Sequence, residues 1–263
     1  MIPRRRALAL VAVVLALAAG HTAAAPAGAA ARPPASRVLP EWRTAVPDTA
    51  PGTVVLLHGL GRTHRSMAPM ERALREAGYR VVNLGYPSRE HTVQALADTV
   101  AAELRRCCGA GSEPIHFVTH SMGGLLVRAY QAAYGPDRIG RVVMLSPPNR
   151  GSEIIDRLPE GLVRVLLGPA AIQLGTDSTS VPRQLPRPEF ELGIITGDAS
   201  LNPLFSWWLP GEDDGRVSVR SARLEAADDF LVVPHTHTFI MRHDQVIQET
   251  LAFLAAGRFT DES

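Results

Sequence analysis

Ser121, a carboxylate at Asp213 or Asp214, and a histidine at His235 or His237 are the side chains whose types and order could carry out acyl chemistry. A serine hydroxyl is a weak nucleophile until a histidine takes its proton, and the histidine works best when a carboxylate holds its other nitrogen. Ser121 stands in the run His116-Phe117-Val118-Thr119-His120-Ser121-Met122-Gly123-Gly124, with a helical stretch following from Leu125 to Tyr134. An apolar strand that turns sharply into a helix lifts a serine Oγ out of the sheet edge, and small neighbours permit the bend. The usual pattern is G-x-S-x-G; here Thr119 replaces the first glycine. Taken alone, the same setting also suits a serine that only caps the helix.

Other segments are needed to position these groups. Thr53 to Leu57 is a β-branched and apolar run that reads as a buried parallel strand, and it ends in His58-Gly59-Leu60-Gly61-Arg62. A glycine-rich turn at a strand's carboxyl end leaves backbone amides free to hold an oxyanion. Asp214-Gly215-Arg216-Val217-Ser218-Val219 reads as a carboxylate at a turn before a short strand, with Asp213 a solvated turn residue. Phe230 to Val233 is a strand leading into Pro234-His235-Thr236-His237-Thr238-Phe239. The two histidines are two residues apart, so periodicity cannot separate them. Between these lie helices over Ser66–Ala77, Thr92–Arg106 and Asp244–Ala256, and strands over Tyr79–Leu84, Ile115–Thr119, Arg141–Leu145 and Glu191–Thr196. Such alternation predicts an α/β fold with a mainly parallel central sheet and helices on both faces.

With Val54-x-Leu56-x-His58-Gly59-Leu60-Gly61, His120-Ser121-Met122-Gly123-Gly124, Asp214-Gly215-Arg216-Val217 and a late histidine in this order, the chain resembles bacterial secreted lipases and esterases of the α/β-hydrolase superfamily, the triacylglycerol-lipase group in particular. The resemblance covers roughly residues 52 to 259. It implies the α/β-hydrolase fold and a carboxylic ester hydrolase that needs no cofactor or metal. It also implies a site: Ser121 as nucleophile, Asp214 as acid because it precedes the D-G-x-V glycine, and His237 as base because it opens His-Thr-Phe-Ile-Met. The amides of Leu60 and Met122 would hold the oxyanion. Two other classes share the same elbow: an acyltransferase acting on envelope lipids, and a non-catalytic binding protein on the same fold.

Composition excludes rival chemistries. All 27 basic residues are arginine, so there is no Schiff-base lysine, no Ser–Lys dyad and no P-loop lysine. The formal charge is +1 with the charges interspersed, which gives no basic stripe for nucleic acid. Arg4-Arg5-Arg6 followed by 13 apolar residues from Ala7 to Ala19 reads as a signal peptide over residues 1–25, cut after Ala25, and implies a secreted or periplasmic protein. Residues 26–51 form a Pro/Ala-rich arm, and 52–259 a catalytic domain in which 147–188 is either a lid or an ordinary crossover. The vicinal Cys107 and Cys108 are expected as free thiols or as links to another chain, because the ring they would close is strained. Phe205, Trp207, Trp208 and Leu209 suggest an aromatic wall, with Trp207 and Trp208 as substrate-binding residues favouring acyl esters and transient contact with a lipid interface.

Overall fold

The computed structural model describes residues 52–109, 113–201 and 203–260; the expected signal peptide and Pro/Ala-rich arm lie outside the described residues. Six strands form one parallel sheet: β1 (Thr53–Leu57), β2 (Arg80–Leu84), β3 (Ile115–His120), β4 (Ile139–Leu145), β5 (Leu192–Gly197) and β6 (Asp229–Val233). Their order is β2-β1-β3-β4-β5-β6. The chain builds outward from β1 to β2, then crosses back to lay β3 on the other side of β1. That reversal opens a crevice at the carboxyl ends of β1 and β3, where ligands of open parallel sheets bind. His58 and Ser121 directly follow these two strands.

Strand alternation sorts the core into two layers. On one face Val55, Leu57, Phe117 and Met144 pack with Leu96 and Val100 of one helix and Leu125 and Leu126 of another. On the other, Val54, Leu56, Val118 and Val143 pack with Met70, Leu74, Val246 and Phe253. The helices concerned are α1 (Ala68–Glu76), α2 (Val93–Cys108), α3 (Met122–Tyr134) and, at the chain's far end, Asp244–Ala256. Thr92 caps α2 by accepting from the Ala95 amide at 3.3 Å. The expected helix from Ser66 is shorter, because residues His64–Met67 form a 3-10 turn and the helix proper starts at Ala68. Residues after the acid turn also differ from expectation. Asp213 and Ser218 make a single bridge, and Val219–Ala222 then coils into a short helix capped by Ser218 instead of extending as a strand.

The segment from Pro147 to Pro188 is the crossover between two strands. It connects β4 to β5, and its short helices at Glu153–Asp156, Glu160–Leu167 and Pro169–Ile172 cover the strand ends. Ile154, Leu158, Val163, Leu167 and Ala171 build a small third core with Phe205 and Leu209. Arg128, buried inside α3, ties this segment to the sheet. It donates to the carbonyls of Asn149, Pro182, Leu185 and Pro186 at 3.1–3.4 Å. Burial lowers its guanidinium to about 10, so it remains a cation at neutral pH, neutralised only by carbonyl dipoles. Arg128→Met should cost about 3 kcal/mol or more, since several buried acceptors lose their donor. Thermal unfolding followed by circular dichroism should show a drop of roughly 6–12 °C.

Cys107 and Cys108 correct another expectation: they are joined as a vicinal disulfide. They are half-buried on the last turn of α2, where the helix ends at Gly109 and both side chains can turn toward one another.

Candidate active site

Ser121 sits at the joint between β3 and α3 with φ 54° and ψ −124°, outside the regions an L-residue prefers. The joint holds because Gly123, two residues on, lies close against the end of β1. A Cβ there would stand 2.6 Å from the Leu57 carbonyl oxygen. Thr119, in place of the first motif glycine, is accommodated as a buried strand residue paired with Leu57 and Met144. Its position precedes the bend by two residues, and the strain falls on Ser121 itself.

Ser121, His237 and Asp214 lie in one hydrogen-bonded line. His237 Nε2 is 3.1 Å from Ser121 Oγ, and His237 Nδ1 is 2.8 Å from Asp214 Oδ2. A carboxylate only accepts, so Nδ1 carries the proton and Nε2 is left to accept from the serine. Asp214 Oδ1 is occupied by the amides of Arg216 and Val217 at 3.0 and 2.8 Å, which aims Oδ2 at the ring. The His237 amide also donates to the Asp214 carbonyl at 2.9 Å. The other candidates are elsewhere. His235 stacks on His243 at 3.6 Å. Asp213 is not solvated as expected: it is buried and accepts from Ser206 Oγ at 3.0 Å and from the Gly215 amide at 2.7 Å. It braces the acid turn from within.

Two histidines hold the surrounding backbone. His120, directly before the serine, is buried and its Nε2 donates to the His237 carbonyl at 3.0 Å. Burial, then the neighbouring His237, keeps its pKa well below the usual imidazole value. His58 stacks on Tyr86 at 4.0 Å, and its Nδ1 donates to the Gly59 carbonyl at 2.9 Å. Tyr86 in turn donates its hydroxyl to the His58 carbonyl, and Ser88 Oγ accepts from the Gly61 amide at 3.0 Å. The glycine turn is thereby pinned, and the Leu60 amide has no hydrogen-bond acceptor among the described residues. Met122 is the first residue of α3, where helix geometry supplies no acceptor for its amide.

Burial lowers the His58 imidazole to about 4 from 6.5. The unfolded chain therefore binds more protons between these values, and stability rises with pH across that window. The contribution is complete above pH ~6.5 and lost as pH falls toward ~4, on the order of 3 kcal/mol at most. Chemical denaturation at pH 7 and pH 4.5 should show a loss of stability that shrinks in His58→Gln.

A pocket opens on Ser121 and His237. Gly59, Leu60, Arg62, His120 and Arg216 line it from the turns after the strands, and Pro148, Ile154, Ile155, Leu167 and Leu174 line it from the segment connecting β4 to β5. The apolar wall thus comes from the connecting segment. Neither Trp207 nor Trp208 lines the pocket: Trp207 is 81% exposed, and Trp208 packs at the margin of the third core. Sequence reasoning missed Ile154, Ile155 and Leu174 as wall residues. Ile154 and Ile155 lie in a four-residue helix too brief for periodicity to single out a face, and Leu174 lies in a turn just past another.

The chain is 33% identical over 135 residues to a triacylglycerol lipase of Pseudomonas fragi, an alignment covering 48% of this chain and 45% of that one. It therefore spans about half the length of that curated relative. Among solved structures it resembles mature Bacillus licheniformis lipase BlEst2, with a TM-score of 0.62, 20% identity, and coverage of 80% of this chain and 95% of that one. Phospholipase PlaB from Legionella pneumophila gives a TM-score of 0.62 at 16% identity, covering 78% and 57%. These two likenesses are of fold. Residues 54–260 match the Alpha/beta hydrolase family, so the crevice, the elbow and the hydrogen-bonded line belong to a member of that family.

Proposed function

We propose that this protein is a serine hydrolase of carboxylic esters, acting through Ser121, His237 and Asp214. The observation that carries the reading is the continuous line from Ser121 Oγ through His237 to Asp214, with contacts of 3.1 and 2.8 Å at the mouth of a part-apolar pocket. His237 Nε2 takes the hydroxyl proton as Oγ attacks the ester carbonyl. The amides of Leu60 and Met122 receive the oxyanion. Collapse breaks the ester bond, and the departing alcohol takes the proton from His237. Water, deprotonated by the same nitrogen, then cleaves the acyl-enzyme and restores Ser121. Asp214 orients the ring and stabilises its protonated form throughout.

The lipase names among the relatives and the apolar wall support acyl-lipid esters as the substrate class. Val165, Leu201 and Trp207 are largely exposed, at 80%, 84% and 81%, on the segments that build or flank the third core. That placement suits brief contact with a lipid interface. Among the described residues no helix is long and apolar enough to cross a membrane. Arg4-Arg5-Arg6 followed by the apolar run from Ala7 to Ala19 supports secretion or export to the periplasm.

A fluorophosphonate probe should label Ser121 and abolish hydrolysis of p-nitrophenyl esters. Across a series from acetyl to hexanoyl, kcat/KM should rise, each buried methylene contributing about 0.8 kcal/mol at best. Absence of labelling in folded protein would overturn the hydrolase reading; a profile highest at acetyl would overturn the lipid-ester assignment alone.

A further inference from the structure

The pocket has a second wall of a different character, cationic rather than apolar. Arg62 and Arg216 both line it, and the described lining residues include no carboxylate. The two arginines come from the two turns that build the reacting centre. Arg62 follows the glycine turn at Leu60, and Arg216 lies two residues beyond Asp214. Arg62 is half-buried, and its Nη2 donates to the Thr238 carbonyl at 2.9 Å, immediately beside the proposed base. Among the described residues Arg62 enters no ion pair.

We propose that Arg62 and Arg216 recognise an anionic oxygen group, a phosphate or carboxylate, on the alcohol portion of the ester, with the acyl chain on the Ile154, Ile155, Leu167 and Leu174 wall. The inference rests on the ester hydrolase reading above and assigns its substrate class. The alcohol side follows from geometry. The protonated base must face the leaving alcohol, and Arg62 is fastened to the carbonyl next to that base. Guanidinium groups suit this task, since their planar donor forks match phosphate and carboxylate oxygens. Two cations sharing a half-buried pocket also repel. Burial, then Arg216 and Arg242, lowers Arg62 to about 10, which leaves it charged at neutral pH. Arg216 is already attracted by the Asp214 carboxylate, so a bound anion would chiefly relieve the repulsion and the lost hydration at Arg62.

The test compares soluble octanoyl esters of three alcohols: glycerol, glycerol phosphate and lactate. The octanoyl glycerophosphate or octanoyl lactate should exceed octanoylglycerol in kcat/KM by on the order of tenfold to hundredfold, a span expected for charge-assisted contacts. Which of the two leads identifies the anion as phosphate or carboxylate. The preference should shrink as sodium chloride is raised. Arg62→Gln and Arg216→Gln should each reduce the anionic-to-neutral ratio about tenfold, with Arg62→Lys keeping part of it. If Arg62 only braces the loop carrying His237, all esters fall together and the ratio stands, which overturns the proposal. A wild-type ratio of one or less overturns it too, while hydrolysis of the neutral ester leaves the ester hydrolase reading intact. Calorimetric binding of the same three esters to Ser121→Ala gives the ratio without turnover. Equal binding there would overturn the anion site even in a protein that cleaves none of them.

Discussion

Ser121→Ala should lose ester hydrolysis by about 10⁴- to 10⁶-fold in kcat while folding as the wild type does. The size of the effect follows from the chemistry: without Oγ no acyl-enzyme forms, and only binding and oxyanion stabilisation remain. The fold should tolerate the change. Ser121 makes no side-chain cap for α3, and its described side-chain partner is His237. Alanine inherits the positive φ of 54°, so no new strain is introduced. Steady-state rates with p-nitrophenyl butyrate and a thermal melt would be measured on the same preparation. Turnover undiminished in the folded variant would remove Ser121 from the mechanism and with it the serine hydrolase reading.

The second large effect separates two histidines that sequence periodicity leaves equivalent. His237→Ala should reduce kcat by a factor of about 10⁴ or more, whereas His235→Ala should retain most activity. His237 joins Ser121 and Asp214, at 3.1 and 2.8 Å, while His235 lies flat against His243 at 3.6 Å. His235→Ala removes that stacking at the start of the last helix, so its cost should appear in the melting temperature. A reversed result would move the base to His235 and leave the reaction class unchanged. A parallel pair, Asp214→Asn and Asp213→Asn, carries a further distinction. Asp213 is buried and braces the acid turn through Ser206 and Gly215, so its loss should lower stability more than kcat.

The sheet was readable because each strand is a short β-branched and apolar run bounded by turn residues, and buried parallel strands take that form. The elbow was readable because a bend of that sharpness demands small residues in a set order. His237 over His235, and Asp214 over Asp213, came from motif resemblance; an extended segment offers no period that could choose between them. What stayed hidden depends on contacts distant in sequence. The sequence does not single out Arg128, whose acceptors come from the segment Asn149 to Pro186 wrapping over it. Trp207 reads as a pocket wall, yet it projects into solvent while Phe205 and Leu209 fill the third core. The vicinal cysteine pair depends on where α2 stops, and end points of helices are the least readable part of any element. Only the fold brings the turns of Arg62 and Arg216 to one pocket.

Gly197 ends β5 with nothing but a hydrogen atom facing the reacting centre. A Cβ there would stand 1.9 Å from the His235 carbonyl oxygen and 3.0 Å from the Asp214 side chain. The turns bearing Asp214 and His235 thus meet at a single shared point. For a drifting lineage this position is a one-way door: every single-base change that alters a glycine codon to another amino acid adds the carbon that parts the two loops. The exposed Trp207 is open ground by comparison, where substitutions can accumulate without reaching the reacting centre. The constraint on this pair of turns should therefore be read most plainly at a residue with no functional group at all.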